Sequence, residues 1–210
     1  GSGGDTGPAQ VALSESWNGT NWTEVNDLNQ ARTAAGAAGA DNTSSLIFGG
    51  NLASTLYGLT ETWNGSNWTE VNNLNTARSN VVGTGTATAA LAFGGLNPTS
   101  SYETESWNGT NWTEVSDLNT ARSRMGAAGT VPAALGFGGQ ISTAAVSALT
   151  EEWNGTSWTE TSDLGTARME IGGRGTTSNA LAFAGKATAT TAVTEEWTGA
   201  GVPVGAWTTV

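Results

Sequence analysis

Between residues 121 and 161 the rhythm of apolar and polar positions changes four times. "RSRMGAAGT" sets small residues around Gly126 and Gly129, and "AALGFGG" is an apolar run stopped by Gly138 and Gly139. "SALTEEW" alternates apolar and polar residues, "NGT" interrupts it, and "SWTET" leads away. A short apolar run bounded by glycines reads as a buried strand, and alternation reads as a strand with one covered face. Asn-Gly between such runs is the strongest short hairpin signal. The stretch predicts four antiparallel strands and carries no helix signal.

The same rhythm recurs along the chain. The first Trp of each unit falls at Trp17, Trp63, Trp107, Trp153 and Trp197, spaced 46, 44, 46 and 44 residues apart. A second Trp follows at Trp22, Trp68, Trp112, Trp158 and Trp207. A period in the mid-forties is the signature of a propeller or solenoid built from one supersecondary unit per repeat. The repeats run over about 1–31 (partial), 32–77, 78–121, 122–167 and 168–210, within a single domain spanning 1–210. Gly39, Gly85, Gly129 and Gly175 recur seven residues after the Arg that starts each full repeat. That position fits a first strand in a crowded centre, where a side chain would collide with its neighbours.

Ala-Arg at the repeat start, "FGG" or "FAG" closing the second strand, Glu-x-Trp-Asn-Gly, a second Trp and "DLNTAR" together resemble the kelch repeat. The resemblance covers nearly all of 1–210; it departs from the family in Trp where Tyr is usual, a shorter loop between the aromatic pair, and Ala-Arg for Pro-Arg. It implies an all-β fold: a β-propeller of four-stranded antiparallel blades, four complete and one partial, of the five-bladed type. Kelch propellers serve as scaffolds, binders and, in copper-radical oxidases of the galactose oxidase type, catalysts, so the fold names no activity. The oxidases need His and Tyr ligands and a thioether Cys; this chain has no His, no Cys and only Tyr57 and Tyr102.

A four-stranded sheet cannot bury both faces alone, so recurrence is first a packing requirement. The series Arg32, Arg78, Arg122, Arg168 shares a register with Glu15, Glu61, Glu105, Glu151, Glu195 and with Glu24, Glu70, Glu114, Glu160. Buried charges need partners, so these read as ion pairs; the alternative is a charged ring binding a ligand on the axis. The paired tryptophans read as core between repeats, the alternative being platforms for sugars. Asn18, Asn21, Asn42, Asn64, Asn67, Asn108, Asn111 and Asn154 head Asn-x-Ser/Thr sequons, glycan acceptors only if the chain is secreted by a eukaryote. Seven of these lie in the "WNGTNWT" hairpins, where turn chemistry favours Asn in any case.

Composition narrows the function. Net charge is −11, with one Lys and six Arg, so there is no basic stripe for nucleic acid or an anionic membrane. Zero His and zero Cys exclude a Ser-His-Asp triad, a thiol nucleophile and imidazole ligation. Oxygen-only calcium ligation by Asp41 or Asp163 is the remaining metal chemistry. "GGRGTT" (172–177) and "GTGTAT" (83–88) open no helix and lack a phosphate-loop Lys, so they read as inner strands. No apolar run approaches the roughly 20 residues of a membrane span, and no signal peptide is visible at the start.

"GSGG" precedes Trp17 by the same distance as Gly50 precedes Trp63, so it reads either as the end of a second strand or as an appended tag. The first repeat then lacks its inner strand pair. A longer parent, a four-bladed ring with a spare hairpin, or pairing with another copy would each resolve this. The expectation is a non-catalytic binding or structural propeller, without cofactor, exposed outside a cell or on a virus particle and resembling phage tail or fibre proteins and bacterial surface proteins. Its partners would be a glycan or protein surface, met through the loops 51–58, 96–102, 140–148 and 186–193, where rigid repeats differ most. The alternative is a self-assembling element whose incomplete blade pairs with another copy.

Overall fold

The computed structural model describes residues 1–5, 7, 9–142, 145–199 and 205–210. All regular structure among them is β-strand, arranged as antiparallel sheets. Sheet I has three strands, Ser2–Asp5, Gln10–Trp17 and Trp22–Val25. Sheet II has four, Gly36–Asp41, Ser44–Phe48, Thr60–Trp63 and Trp68–Val71. Sheet III holds Val82–Gly85, Ala90–Phe93, Thr104–Trp107 and Trp112–Glu114. Sheet IV holds Gly126–Thr130, Ala133–Phe137, Thr150–Trp153 and Trp158–Thr161. Sheet V holds Gly172–Gly175, Asn179–Phe183, Thr194–Thr198 and Ala206–Thr209. Each sheet follows chain order, and in sheets II and IV a two-stranded ribbon, Asn51–Leu52 with Thr55–Leu56 and Gln140–Ser142 with Ala145–Val146, intervenes between the second and third strands.

The hairpin between third and fourth strands shows why Asn is required there. In sheet II, Asn64 Oδ1 accepts from the backbone N–H groups of Ser66 and Asn67, both at 2.9 Å, and Gly65 takes a positive φ of 91°. The side chain thus closes the turn that the backbone would otherwise leave open. Asn18, Asn108 and Asn154 repeat the arrangement. Asp41, considered above for calcium, closes a turn in the same way by accepting from Thr43 N–H at 2.8 Å and Thr43 Oγ1 at 2.6 Å. These bonds, Thr43 Oγ1 first, hold the Asp41 carboxyl below its ordinary range. Asp163 Oδ1 likewise accepts from Thr150 N–H at 3.0 Å.

Two tryptophan series do different work. Trp63, Trp107, Trp153 and Trp197 donate Nε1–H to carbonyls in their own sheet's first hairpin, those of Asn42, Ala87, Val131 and Thr177. Trp68, Trp112, Trp158 and Trp207 donate instead to a hydroxyl in the preceding sheet, on Ser14, Thr60, Thr104 and Thr150. Trp112, Trp158 and Trp207 also lie against Phe48, Phe93 and Phe137 of the preceding sheet, with ring centroids 4.9, 4.7 and 4.9 Å apart. Three buried clusters result, at the junctions of sheets II and III, III and IV, and IV and V.

The first strands of sheets II to V are neighbours in chain order, and glycine permits the close approach. A Cβ on Gly83 would meet Ala37 O at 2.8 Å, and one on Gly173 would meet the Phe137 ring at 2.6 Å. Gly39, Gly85, Gly129 and Gly175, expected from their spacing to serve this close approach, do not serve it. A Cβ on any of these four would strike the second strand of its own sheet, and the last three have φ of 112°, 98° and 123°. They are hairpin glycines, while the central glycines lie two residues earlier or are set by register.

Candidate functional site

The recurring charges are consumed inside the fold. Arg32 pairs with Glu61, Arg78 with Glu105 at 3.1 Å, Arg122 with Glu151 at 2.7 Å and Arg168 with Glu195, all with buried side chains. The second carboxylate oxygen in each case accepts a backbone N–H from the preceding connector, at Asn29, Asn75, Asn119 and Gly165. Burial lowers the pKa of Arg32 and Arg122, and Glu61 and Glu151 respectively oppose the shift most strongly. A guanidinium stays charged across the physiological range regardless. The Arg series is therefore packing rather than an axial binding ring. The second Glu series departs from expectation: Glu70, Glu114 and Glu160 sit directly across from Glu61, Glu105 and Glu151 but are exposed, and Glu70 and Glu160 act on Arg32 and Arg122 only through space.

What varies lies at one end of the sheets. The residues two past each Arg are Ala34, Asn80, Arg124 and Glu170, and all four take left-handed backbone, with φ of 53°, 50°, 56° and 57°. For a residue with a Cβ that conformation costs about 1–2 kcal/mol. It is held by a backbone series: Asn80 N–H donates to Ala34 O at 2.7 Å, Arg124 N–H to Asn80 O at 3.2 Å and Glu170 N–H to Arg124 O at 2.8 Å. A constant, strained backbone thus presents four different side chains, and such outliers concentrate at functional positions. Arg124 Nη1 stands 3.6 Å from Glu170 Oε1.

The variable loops meet this rim. The residue just before each rim position bridges to the residue just after the Gly-Gly or Ala-Gly pair, as Thr33 with Asn51, Ser79 with Leu96, Ser123 with Gln140 and Met169 with Lys186. The loops 51–58, 96–102, 140–148 and 186–193 therefore begin beside the rim; residues 143 and 144 lie outside the described residues. Ser100 Oγ donates to Gln140 O at 3.1 Å, joining two neighbouring loops, and Gln10 Oε1 at the start of the sheet I strand accepts from Ala53 N–H at 2.6 Å. Tyr102 and Ile141 are exposed on them. The sequon hairpins lie at the opposite end, as the strand registers require.

Below the rim a cavity of about 810 Å³ runs along the four first strands and reaches sheet I at Glu15, Trp17 and Trp22. Small residues line most of it, and the largest side chains on its lining are Trp17, Trp22, Trp63, Trp68, Arg32 and Arg174. Trp17 and Trp22 depart from the expected core role, being 44% and 58% exposed, because the surfaces that cover their counterparts are lacking around sheet I. Among the described residues no three His, Cys, Asp or Glu gather as a metal site, and no helix is long and apolar enough to cross a membrane.

Sequence reasoning missed the rim. Its signal was available: in "ARTA", "ARSN", "ARSR" and "ARME" the fourth residue changes completely among repeats that are otherwise alike. No family model matches the chain, and no curated protein matches it.

Proposed function

We propose that the chain is a non-catalytic binding module, a kelch-like β-propeller of four complete blades and one partial blade, that recognises a glycan or protein surface. The contact face is the end carrying Ala34, Asn80, Arg124 and Glu170 together with the loops between second and third strands. The observation that carries this reading is the rim, where one left-handed backbone geometry recurs at φ near 50–57° while its side chains differ. A position conserved for packing would keep its side chain; one used for contact varies it on a rigid frame. The face offers an Arg, a Glu, an Asn, a Tyr and an Ile, groups that hydrogen-bond and bury apolar area. Its low charge and abundant Thr and Asn suit a place outside a cell or on a virus particle.

A glycan array and a surface-protein panel probed with the protein and with Arg124→Ala and Tyr102→Ala test the reading. Specific binding that falls in both variants supports it. Binding unaffected by either, or moved only by changes in the Asn-Gly hairpins, contradicts it.

A second reading, self-association, is favoured by the exposed ends. Phe183 is 42% exposed, whereas Phe48, Phe93 and Phe137 are fully covered by the next sheet's Trp. Trp22 is the Trp of that series left uncovered, so sheet V of one copy could receive sheet I of the next. Light scattering across a concentration series distinguishes a dimer or chain of copies from a monomer near 21.2 kDa.

A further inference from the structure

Of the six arginines, Arg32, Arg78, Arg122 and Arg168 are buried in ion pairs. Each of these guanidinium groups also donates to backbone carbonyls: Arg32 to Leu59 O, Arg78 to Ala92 O, Arg122 to Gly138 O and Leu149 O, and Arg168 to Ala184 O. Arg124 on the rim differs. Its Nε–H is buried without an acceptor, its Nη1 lies 3.8 Å from the sulfur of Met169, and Glu170 Oε1 stands 3.6 Å away, beyond hydrogen-bond distance. Nε is unpaired in Arg32, Arg78 and Arg122 as well, but oxygens hold their Nη groups. Among the described residues no oxygen accepts a hydrogen bond from the Arg124 guanidinium, although its side chain is only 32% exposed.

The residue before Arg124 shows the same deficit. Ser123 is fully buried and its Oγ has no partner. At the same position in the two preceding repeats, Thr33 Oγ1 accepts from Gln10 Nε2 at 2.7 Å and Ser79 Oγ accepts from Asn80 Nδ2 at 3.3 Å. Buried polar groups in native proteins find partners, and where the chain supplies none a bound molecule or water does. Ser123 is tied to Gln140 by two backbone bonds, at 3.0 and 2.8 Å, and Gln140 O accepts from Ser100 Oγ. The rim at Arg124 is thereby joined to the two loops that expose Tyr102 and Ile141.

We propose that Arg124 anchors a subsite for the carboxylate of an acidic sugar, a uronic or sialic acid unit of a glycan. This rests on reading the rim as the contact face and gives that face a ligand class. A guanidinium that is partly desolvated and without an oxygen acceptor gains charge-assisted, planar hydrogen bonds from an incoming carboxylate. Glu170 beside it and the net charge of −11 disfavour a ligand with several adjacent negative charges, so a run of acidic residues or a phosphate dianion fits poorly. A sugar acid brings one carboxylate among hydroxyls and apolar C–H faces. The Asn80 side chain at the neighbouring rim position suits the hydroxyls, and the exposed Tyr102 ring suits the apolar face.

The test titrates the 210-residue protein against glycans ending in glucuronic acid and glycans ending in sialic acid, each beside its carboxyl-reduced counterpart, and against a Glu-rich peptide. The expected result is saturable binding to one acidic set, which identifies the source of the carboxylate. Reduction of that carboxyl should weaken binding on the order of tenfold or more, Arg124→Gln should do the same, and the two losses should not add, since both remove one charge-assisted contact. Glu170→Gln should hold or raise the affinity, because it removes a competing carboxylate; an Arg124 that served only as a structural partner of Glu170 would lose binding alike in both variants. No binding to either acidic set, equal binding of the reduced glycans, matching losses in Arg124→Gln and Glu170→Gln, or preference for the peptide overturns the proposal. Binding of a neutral glycan or a protein that Tyr102→Ala weakens would overturn this subsite and leave the rim reading standing.

Discussion

The indole Nε1–H of Trp112 donates to Thr60 Oγ1 at 3.0 Å, joining two sheets across 52 residues of chain. Both groups are buried, so neither has water to fall back on. Thr60→Val keeps the shape but removes the acceptor and leaves a buried N–H unsatisfied, which costs about 1–3 kcal/mol. Denaturant unfolding should show the midpoint falling with unchanged slope. A shift under 0.5 kcal/mol would mean the bond is not formed.

Glu151 and Glu15 occupy the same repeat position in opposite circumstances. Glu151 accepts from Arg122 at 2.7 Å inside the protein, whereas Glu15 is exposed. Glu151→Ala should destabilise by about 3–5 kcal/mol, because it strands a buried guanidinium. Glu15→Ala should change stability by less than about 0.5 kcal/mol. Equal effects measured by chemical denaturation would contradict the difference in burial and pairing between the two carboxylates.

Phe137 and Phe183 make a similar pair. Phe137 is covered by Trp207 at 4.9 Å, while Phe183 has no such cover among the described residues. Phe137→Ala should cost about 3–5 kcal/mol. Phe183→Ala should cost clearly less in thermal or denaturant unfolding of the monomer.

Ala184 stands where three other repeats have glycine, with φ of 57° beside 65°, 63° and 62° at Gly49, Gly94 and Gly138. Ala184→Gly relieves a left-handed alanine and should stabilise by about 1 kcal/mol. Gly94→Ala should do the reverse and more, since the added Cβ would press on the carbonyl of Arg122. Melting temperatures moving in opposite directions would verify both.

The four-stranded antiparallel sheets and their third-to-fourth-strand hairpins were legible because each has a local signal, alternation and Asn-Gly, whereas the short two-stranded ribbons Asn51–Leu52 with Thr55–Leu56 and Gln140–Ser142 with Ala145–Val146 carry none. The pairing of Arg with the first Glu series was legible as a need for partners but not as a geometry. The division of labour between the tryptophans was hidden, because "WNGTNW" looks alike whether an indole bonds within its sheet or across to the preceding one. The glycine roles were hidden for a related reason: Gly83 and Gly85 are two residues apart, yet one meets a neighbouring strand and the other its own hairpin. The rim lay in the differences among repeats, which a reading built on recurrence passes over.

The central claim is that the junctions run one way along the chain, each sheet's second Trp bonding back to the sheet before, while Trp17 and Trp22 of sheet I stay exposed. Hydrogen exchange of the ten indole N–H groups, read one by one by NMR, tests it most directly. The account predicts slow exchange at Trp63, Trp68, Trp107, Trp112, Trp153, Trp158, Trp197 and Trp207, whose Nε1–H groups are bonded, and fast exchange at Trp17 and Trp22. Protection of Trp17 and Trp22 equal to the others, or fast exchange at Trp112 and Trp158, would contradict it.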